Sequence, residues 1–166
     1  PYLDTWFINQ DPIDLGRATT ASADFYMYVD TGPGYDWVFV GASLDGEYFT
    51  GQWWTGYSGG WEYFLLDLSE FIGADELYLG WYFYSDEGEP PGVEGYEGVW
   101  VDDIKVWATA DTPPPTGEEL VQNGGFELGN LSGWNPAGAG VSVQTLRNPV
   151  EGQYVARLGG ANGANQ

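Results

Sequence analysis

The sequence contains neither cysteine nor histidine. Without thiol and imidazole groups it cannot form a Ser-His-Asp triad, a cysteine nucleophile, or a zinc site built on Cys and His ligands. No disulfide can cross-link the chain. Among metal ions, only hard cations such as Ca²⁺, which prefer oxygen ligands, suit the side chains that remain.

Basic residues are scarce as well. Four Lys+Arg stand against 25 Asp+Glu, which gives a formal net charge of −21. Such a charge repels phosphate backbones and anionic lipid headgroups, so we expect no nucleic-acid partner and no binding to a membrane surface. The sequence has no run of about 18 or more apolar residues, so we also expect no membrane insertion.

What the sequence has in abundance is short runs typical of β-strands, separated by Gly, Asp and Pro, with almost no helical periodicity. Asp45-Gly46 is a strong signal for a hairpin turn, and 70–72 reads as a single helical turn. We therefore predict an all-β fold. The predicted strands are 21–29, 37–43, 48–54, 61–66, 76–84, 99–107, 121–126, 141–145 and 154–158.

A proline-rich, acidic stretch divides the chain. Residues 109–119 contain Pro113-Pro114-Pro115, which favours a stiff, extended spacer. We predict a main body over residues 1–108, this linker over 109–119, and a further segment over 120–166.

Two motifs resemble parts of known secreted bacterial domains. The run from Trp61 through Leu66-Asp67-Leu68-Ser69 to Gly98-Val99-Trp100-Val101-Asp102-Asp103-Ile104 resembles the end of MAM-like jelly rolls associated with immune-inhibitor-A-type peptidases. The run Asn123-Gly124-Gly125-Phe126-Glu127 with Ser132-Gly133-Trp134 is similar to the start of galactose-binding-like jelly rolls, which include carbohydrate-binding modules. The resemblance implies an extracellular or cell-surface jelly-roll β-sandwich of two antiparallel sheets.

The order of these motifs is shifted relative to the families that they resemble, where the Phe126-type strand comes first and the Asp102-type strand last. Residues 120–166 can therefore complete their own body or a neighbouring subunit, or the chain boundaries cut across two domains. We favour completion of a neighbour, because the spacer disfavours folding back and strand addition saturates an open sheet edge. The predicted assembly interface consists of Val121, Phe126, Trp134, Val141, Val143, Tyr154 and Leu158.

A structural calcium ion is the predicted cofactor. In the resembled families a carboxylate of the first strand and an aspartate of the last strand often share Ca²⁺, which implies Glu127 with Asp102 and Asp103 here. These oxygen ligands suit a cation that takes six to eight of them. The alternative is that Asp102 or Asp103 only faces solvent at a strand kink.

The aromatic load is the second candidate surface, with 9 Trp, 12 Tyr and 8 Phe. Alternation on the strands predicts one face in the core and an outer aromatic face formed by Tyr26, Tyr28, Tyr78, Tyr82 and Tyr84. That face suits packing against another subunit or stacking on sugars. The best candidates for a sugar platform in a loop are Trp53, Trp54 and Tyr57.

No enzymatic activity is predicted. The carboxylates of the loop at 85–98, among them Asp86 and Glu97, could imitate a glycosidase pair, but nothing in the sequence raises the pKa of one of them. Asn130-Leu131-Ser132 matches a glycosylation sequon. The preferred function is a structural or adhesive extracellular filament or tandem-repeat subunit, which assembles with copies of itself head to tail. The alternative is a carbohydrate-binding accessory module of a secreted hydrolase, with polysaccharide as its partner.

Overall fold

The computed structural model describes residues 3–86, 95–110, 120–145 and 148–159. Two antiparallel five-stranded sheets pack face to face in this part of the chain. The predicted all-β sandwich is confirmed, and its architecture is compatible with a jelly roll. Sheet I has the strand order β4-β3-β6-β1-β8, and sheet II has the order β5-β2-β7-β10-β9.

The strands follow the turn residues of the sequence. A 3₁₀ turn, Ser69–Phe71, replaces the helical turn predicted at 70–72. The strands are β1 (Leu3–Asn9), β2 (Ala18–Asp30), β3 (Asp36–Ser43), β4 (Thr50–Trp54), β5 (Glu62–Asp67), β6 (Tyr78–Ser85), β7 (Gly98–Ala110), β8 (Trp134–Ala137), β9 (Val141–Thr145) and β10 (Tyr154–Leu158).

One predicted strand is wrong. Residues 121–126 form turns, because Asn123 and Phe126 have φ angles of 52° and 57°, which no strand accommodates. The tail contributes β8 to sheet I instead, and this strand contains Pro136. Proline is tolerated there because β8 is the outermost strand of its sheet. Strand β1 was not predicted either.

The core lies between the sheets and is rich in aromatic side chains. Trp81 of β6 is fully buried and stacks on Phe7 of β1 with 5.0 Å between ring centroids. Phe25 and Trp134 meet Trp81 edge-on at 5.2 and 5.6 Å. The indole N–H of Trp81 has no hydrogen-bond partner among the described residues. Edge-on aromatic rings are its neighbours, and ring faces can accept weak N–H bonds.

The segment after the linker packs on the body of its own chain in this structure. Strand β8 pairs with β1 in sheet I, and β10 pairs with β7 in sheet II. The predicted exchange of this segment between subunits stays a prediction. Strand β7 extends to Ala110 and therefore includes Thr109, where the linker was predicted to begin. Residues 111–119 of that linker lie outside the described part.

Candidate functional site

The junction between the body and residues 120–159 is the candidate functional site. Four apolar side chains of the predicted assembly interface are buried in the core, namely Val121, Phe126, Trp134 and Leu158. The other three, Val141, Val143 and Tyr154, are partly buried and pack against the same core. All seven residues thus contact one continuous apolar core formed jointly by the body and the tail.

Close backbone approach holds the tail against β7 and β1. The N–H of Ile104 donates to the carbonyl of Gly124 at 3.1 Å, and the N–H of Gln10 donates to the carbonyl of Gly133 at 2.7 Å. A Cβ atom at Gly124 would collide with the carbonyl oxygen of Ile104. Of the two glycines that precede Phe126 in the sequence, Gly124 is therefore required because the junction has no space for a side chain there.

Asp102 is a buried carboxylate at the centre of this junction, with no exposed surface. Its Oδ2 accepts hydrogen bonds from the backbone N–H groups of Val150 at 2.9 Å and Glu151 at 3.2 Å. Burial raises the pKa of Asp102 from 3.8 to about 6, although these N–H donors act in the opposite direction. The register between β2 and β7 shifts beside it, and Asp103 takes a φ of 53°.

Glu127 holds the neighbouring turn of the tail. Its carboxylate accepts the N–H of Gln153 at 2.9 and 3.0 Å and the N–H of Tyr154 at 2.9 Å. The carboxylate lies directly against Gly152, where a Cβ atom would collide with it. Asp102 and Glu127, one from each side of the junction, therefore anchor the same segment, 150–154.

The third predicted calcium ligand is paired with a lysine. Asp103 forms an ion pair with Lys105 at 2.5 Å, and Lys105 also lies 3.7 Å from Glu151. The hydrogen bond that Lys105 donates to the carboxylate of Asp103 raises the pKa of Lys105. In the described residues, no group of three or more carboxylates is arranged to hold a metal ion. The residues shown thus fit backbone anchoring rather than a formed calcium cluster, and calcium binding stays a prediction.

No family model and no curated protein matches this sequence. Within the described residues, no helix has the length and apolar character that a membrane crossing requires. The junction and the two outer faces of the sandwich are the features that bear on function.

The predicted outer tyrosines are divided between those two faces. Tyr78, Tyr82 and Tyr84 lie on β6 and alternate with buried residues of sheet I. Tyr26 and Tyr28 lie on β2 and alternate in the same way on sheet II. The five tyrosines therefore form two separate groups, one on each outer face of the sandwich.

The three predicted sugar-stacking residues do not share a platform. Trp53 is 50% exposed and contacts Phe39 on the outer face of sheet I. Its neighbour Trp54 points the other way and packs edge-on against Phe64. Tyr57 is 66% exposed beside Tyr28, on the outer face of sheet II.

The outer face of sheet II combines aromatic rings with charges. Tyr28 lies within 6.3 Å of Tyr57, Trp61 and Trp100, centroid to centroid. The guanidinium of Arg157 sits 5.3 Å from the Trp100 ring. The hydrogen bond to Tyr57, followed by burial, raises the pKa of Tyr28 to about 12. Such an arrangement offers ring faces, hydroxyl groups and a cation to a polar ligand.

Sequence analysis missed an aromatic cluster on the outer face of sheet I, formed by Trp6, Phe39 and Phe49 with Trp53 and Tyr82. The alternation of buried residues Thr5, Phe7 and Asn9 places Trp6 outside, and this pattern was the available signal. Nothing local predicts Phe49, which reaches the face from a loop. The predicted polar loop at 85–98 falls mostly on residues 87–94, outside the described part.

Proposed function

We propose that this chain is a structural or adhesive subunit of an extracellular filament or tandem array. In this arrangement, residues 120–159 of one unit complete the sandwich of the next. The motif resemblance to MAM-like and galactose-binding-like jelly rolls supports the extracellular setting. The observation that carries the proposal is the two-part core, in which Phe126 and Trp134 of the tail surround Phe7 of the body.

The size and character of the junction support strand exchange. The tail supplies an outer strand of sheet I and the last two strands of sheet II. Docking these strands buries an area on the order of 2,000 Å², in the range of obligate interfaces. A body that lacks them exposes two sheet edges and an apolar core, which favours capture of another strand.

Exchange between copies uses the same contacts as closure within one chain, as in other domain swaps. Its balance therefore depends on the linker and on protein concentration. The three consecutive prolines at 113–115 favour an extended linker, which favours docking on another copy. Repeated head-to-tail docking gives an open filament if the rotation between units does not close a ring.

A disulfide trap distinguishes the two arrangements, because the chain has no cysteine of its own. Ile8 of β1 and Asn135 of β8 are register partners, and paired Cα atoms on antiparallel strands lie about 4.5–5.5 Å apart, within disulfide range. Oxidation of the Ile8→Cys/Asn135→Cys variant at high protein concentration should give a ladder of covalent multimers on a non-reducing gel. Only intramolecularly linked monomer would overturn the exchange.

A matched pair within the body controls this experiment. Ser22 and Asp67 are partners on β2 and β5 of sheet II, both outside the tail. The Ser22→Cys/Asp67→Cys variant should give monomer on the same gel, whether or not the tail is exchanged. A ladder from this control would mean that the linkage comes from random collision.

Carbohydrate binding is the second candidate function, favoured by the exposed rings of Trp53 and Tyr57. Retardation of the chain in polysaccharide-containing native gels tests it. Trp53→Ala and Tyr57→Ala, made separately, should show which outer face binds, since these residues lie on opposite sides. Trp54→Ala is uninformative because this ring packs in the core. Unchanged migration in a panel of polysaccharides contradicts this function.

A further inference from the structure

Five aromatic side chains form a continuous cluster on the outer face of sheet I. Trp6 stacks on Tyr82 with 4.6 Å between ring centroids and lies 5.0 Å from Phe49. Trp53 joins the cluster at 5.1 Å from Phe39 and 5.7 Å from Tyr82. These rings lie outside the sandwich core and on the opposite face of the sheet from it.

Three glycines lie side by side in the same sheet. Gly51, Gly41 and Gly80 are register neighbours on β4, β3 and β6. A Cβ atom at Gly80 would lie 2.7 Å from the ring of Phe49, and neither Gly41 nor Gly80 has a positive φ. Space for the Phe49 ring is therefore what requires glycine at position 80. A Cβ atom at Gly41 would approach the backbone carbonyl of Thr50 as well as the Phe39 ring, and one at Gly51 would collide with the backbone of Val40.

The loop that delivers Phe49 is held rigidly. The carboxylate of Asp45 accepts the N–H groups of Glu47 and Tyr48 at 2.8 and 2.9 Å and the hydroxyl of Ser43 at 2.8 Å. These bonds lower the pKa of Asp45. The loop leaves Leu44 and Tyr48 exposed by 55% and 80%. Because the loop backbone is already ordered by these bonds, little backbone entropy is lost when its exposed side chains bind.

Charge is distributed unevenly between the two outer faces. Among the outward-facing residues on the five strands of sheet I, only Asp4 is charged. The outer face of sheet II, by contrast, carries Asp24, Lys105 and Arg157. In a chain with a net charge of −21, the face of sheet I is where another equally acidic copy meets least repulsion.

We infer that the outer face of sheet I is a self-association surface, on which the same face of a second copy packs about a two-fold axis. Five strands of four to eight residues, spaced about 4.8 Å apart, give a face of roughly 24 by 21 Å. Allowing for side-chain relief, two such faces bury on the order of 1,200 Å² in total, the lower end of specific interfaces. We therefore expect a reversible dimer whose contact has a tightly packed aromatic centre. This contact is separate from the head-to-tail contact that the tail makes.

Acidic residues at the margin give this contact a distinctive salt dependence. Asp4 lies at one end of β1, and Asp45 and Glu47 lie in the rigid loop. Two-fold pairing brings like charges at the margins toward each other, and salt screens this repulsion. Association should consequently strengthen as salt concentration rises, whereas contacts between opposite charges weaken.

Sedimentation velocity over a range of protein and salt concentrations tests the inference. The chain should show a concentration-dependent dimer that is more populated in 0.5 M than in about 0.05 M NaCl. Trp53→Asp and, separately, Tyr48→Asp should weaken dimerisation at least tenfold; Tyr48 is 80% exposed, so its variant stays folded. Leu65→Asp, which adds the same charge at a 63% exposed site on sheet II, should leave the dimer intact.

Two results would overturn the inference: a monomer at all concentrations, or an equal loss of dimer in Leu65→Asp. This test and the disulfide test of strand exchange can be told apart. Trp53→Asp should weaken the dimer but leave the covalent ladder of Ile8→Cys/Asn135→Cys unchanged.

Discussion

Phe7 of the body and Trp134 of the tail pack edge to face, with 5.0 Å between their ring centroids. Both side chains are buried, and they lie on the adjacent strands β1 and β8. Neither part of the chain can complete its core without the other. We therefore expect the body and the tail to unfold together in one cooperative transition.

Truncation of the tail's central aromatic residue should destabilise the whole domain. Phe126 is fully buried, so Phe126→Ala should lower the free energy of unfolding by about 3–5 kcal/mol, measured by urea denaturation. Leu128→Ala, two residues away and 66% exposed, should change it by less than about 0.5 kcal/mol. Equal effects of the two substitutions would contradict the packing described for the junction.

The buried carboxylate of Asp102 should make stability depend on pH in calcium-free buffer. Its pKa is raised from 3.8 to about 6, so its contribution to stability is complete below pH 3.8 and lost as pH rises through about 6. At about 1.4 kcal/mol per pKa unit, the loss is roughly 3 kcal/mol. Asp102→Asn should show a pH profile of the unfolding free energy without this decline; parallel profiles would refute the prediction.

Calcium should reverse that decline if Asp102 and Glu127 share an ion. Binding favours ionised carboxylates, so Ca²⁺ at pH 7 should raise the thermal unfolding midpoint of the native chain, and EDTA should remove the effect. A concentration of 100 times the dissociation constant stabilises by about 2.7 kcal/mol. Glu127→Gln should reduce the response. Identical melting curves with Ca²⁺ and with EDTA would count against calcium binding.

The glycine at the centre of the sheet I face should not tolerate a methyl group. Gly80→Ala places Cβ 2.7 Å from the Phe49 ring and should cost about 1–3 kcal/mol. In a Phe49→Ala background the cost should shrink, which a double-mutant cycle measures. Gly60→Ala is the control, since nothing lies within 4 Å of a Cβ there. If Gly80→Ala lowers the free energy of unfolding by the same amount in the Phe49→Ala background, the clash is not with the Phe49 ring.

Alternation of apolar and polar residues predicted most of the fold. Strands β9 and β10 have the predicted bounds, 141–145 and 154–158, because both faces of each strand differ clearly in the sequence. The failure at 121–126 has a physical cause: the backbone at Asn123 and Phe126 lies in the left-handed region, and the tertiary contacts of Phe126 compensate for that strain. No local propensity predicts such a conformation for a phenylalanine.

The period of two along each strand predicts which side chains point outward. It does not predict which of these side chains lie on the same sheet. Tyr28 and Tyr82 were predicted to share one outer face, yet they belong to different sheets. The order of strands within a sheet depends on contacts that are distant in sequence. The surroundings of Asp102 depend in the same way on Val150 and Glu151, which are distant from it in sequence.

The position of the tail strands gives the proposed assembly a direction. Strand β8 lies outside β1 in one sheet, β10 and β9 lie outside β7 in the other, and residues 138–140 connect β8 to β9. The tail therefore covers a single flank of the sandwich. A row of exchanged units would have one terminus with a vacant flank and another with an undocked tail. A peptide comprising residues 120–166, added in excess, would occupy vacant flanks and act as a chain terminator that sets polymer length.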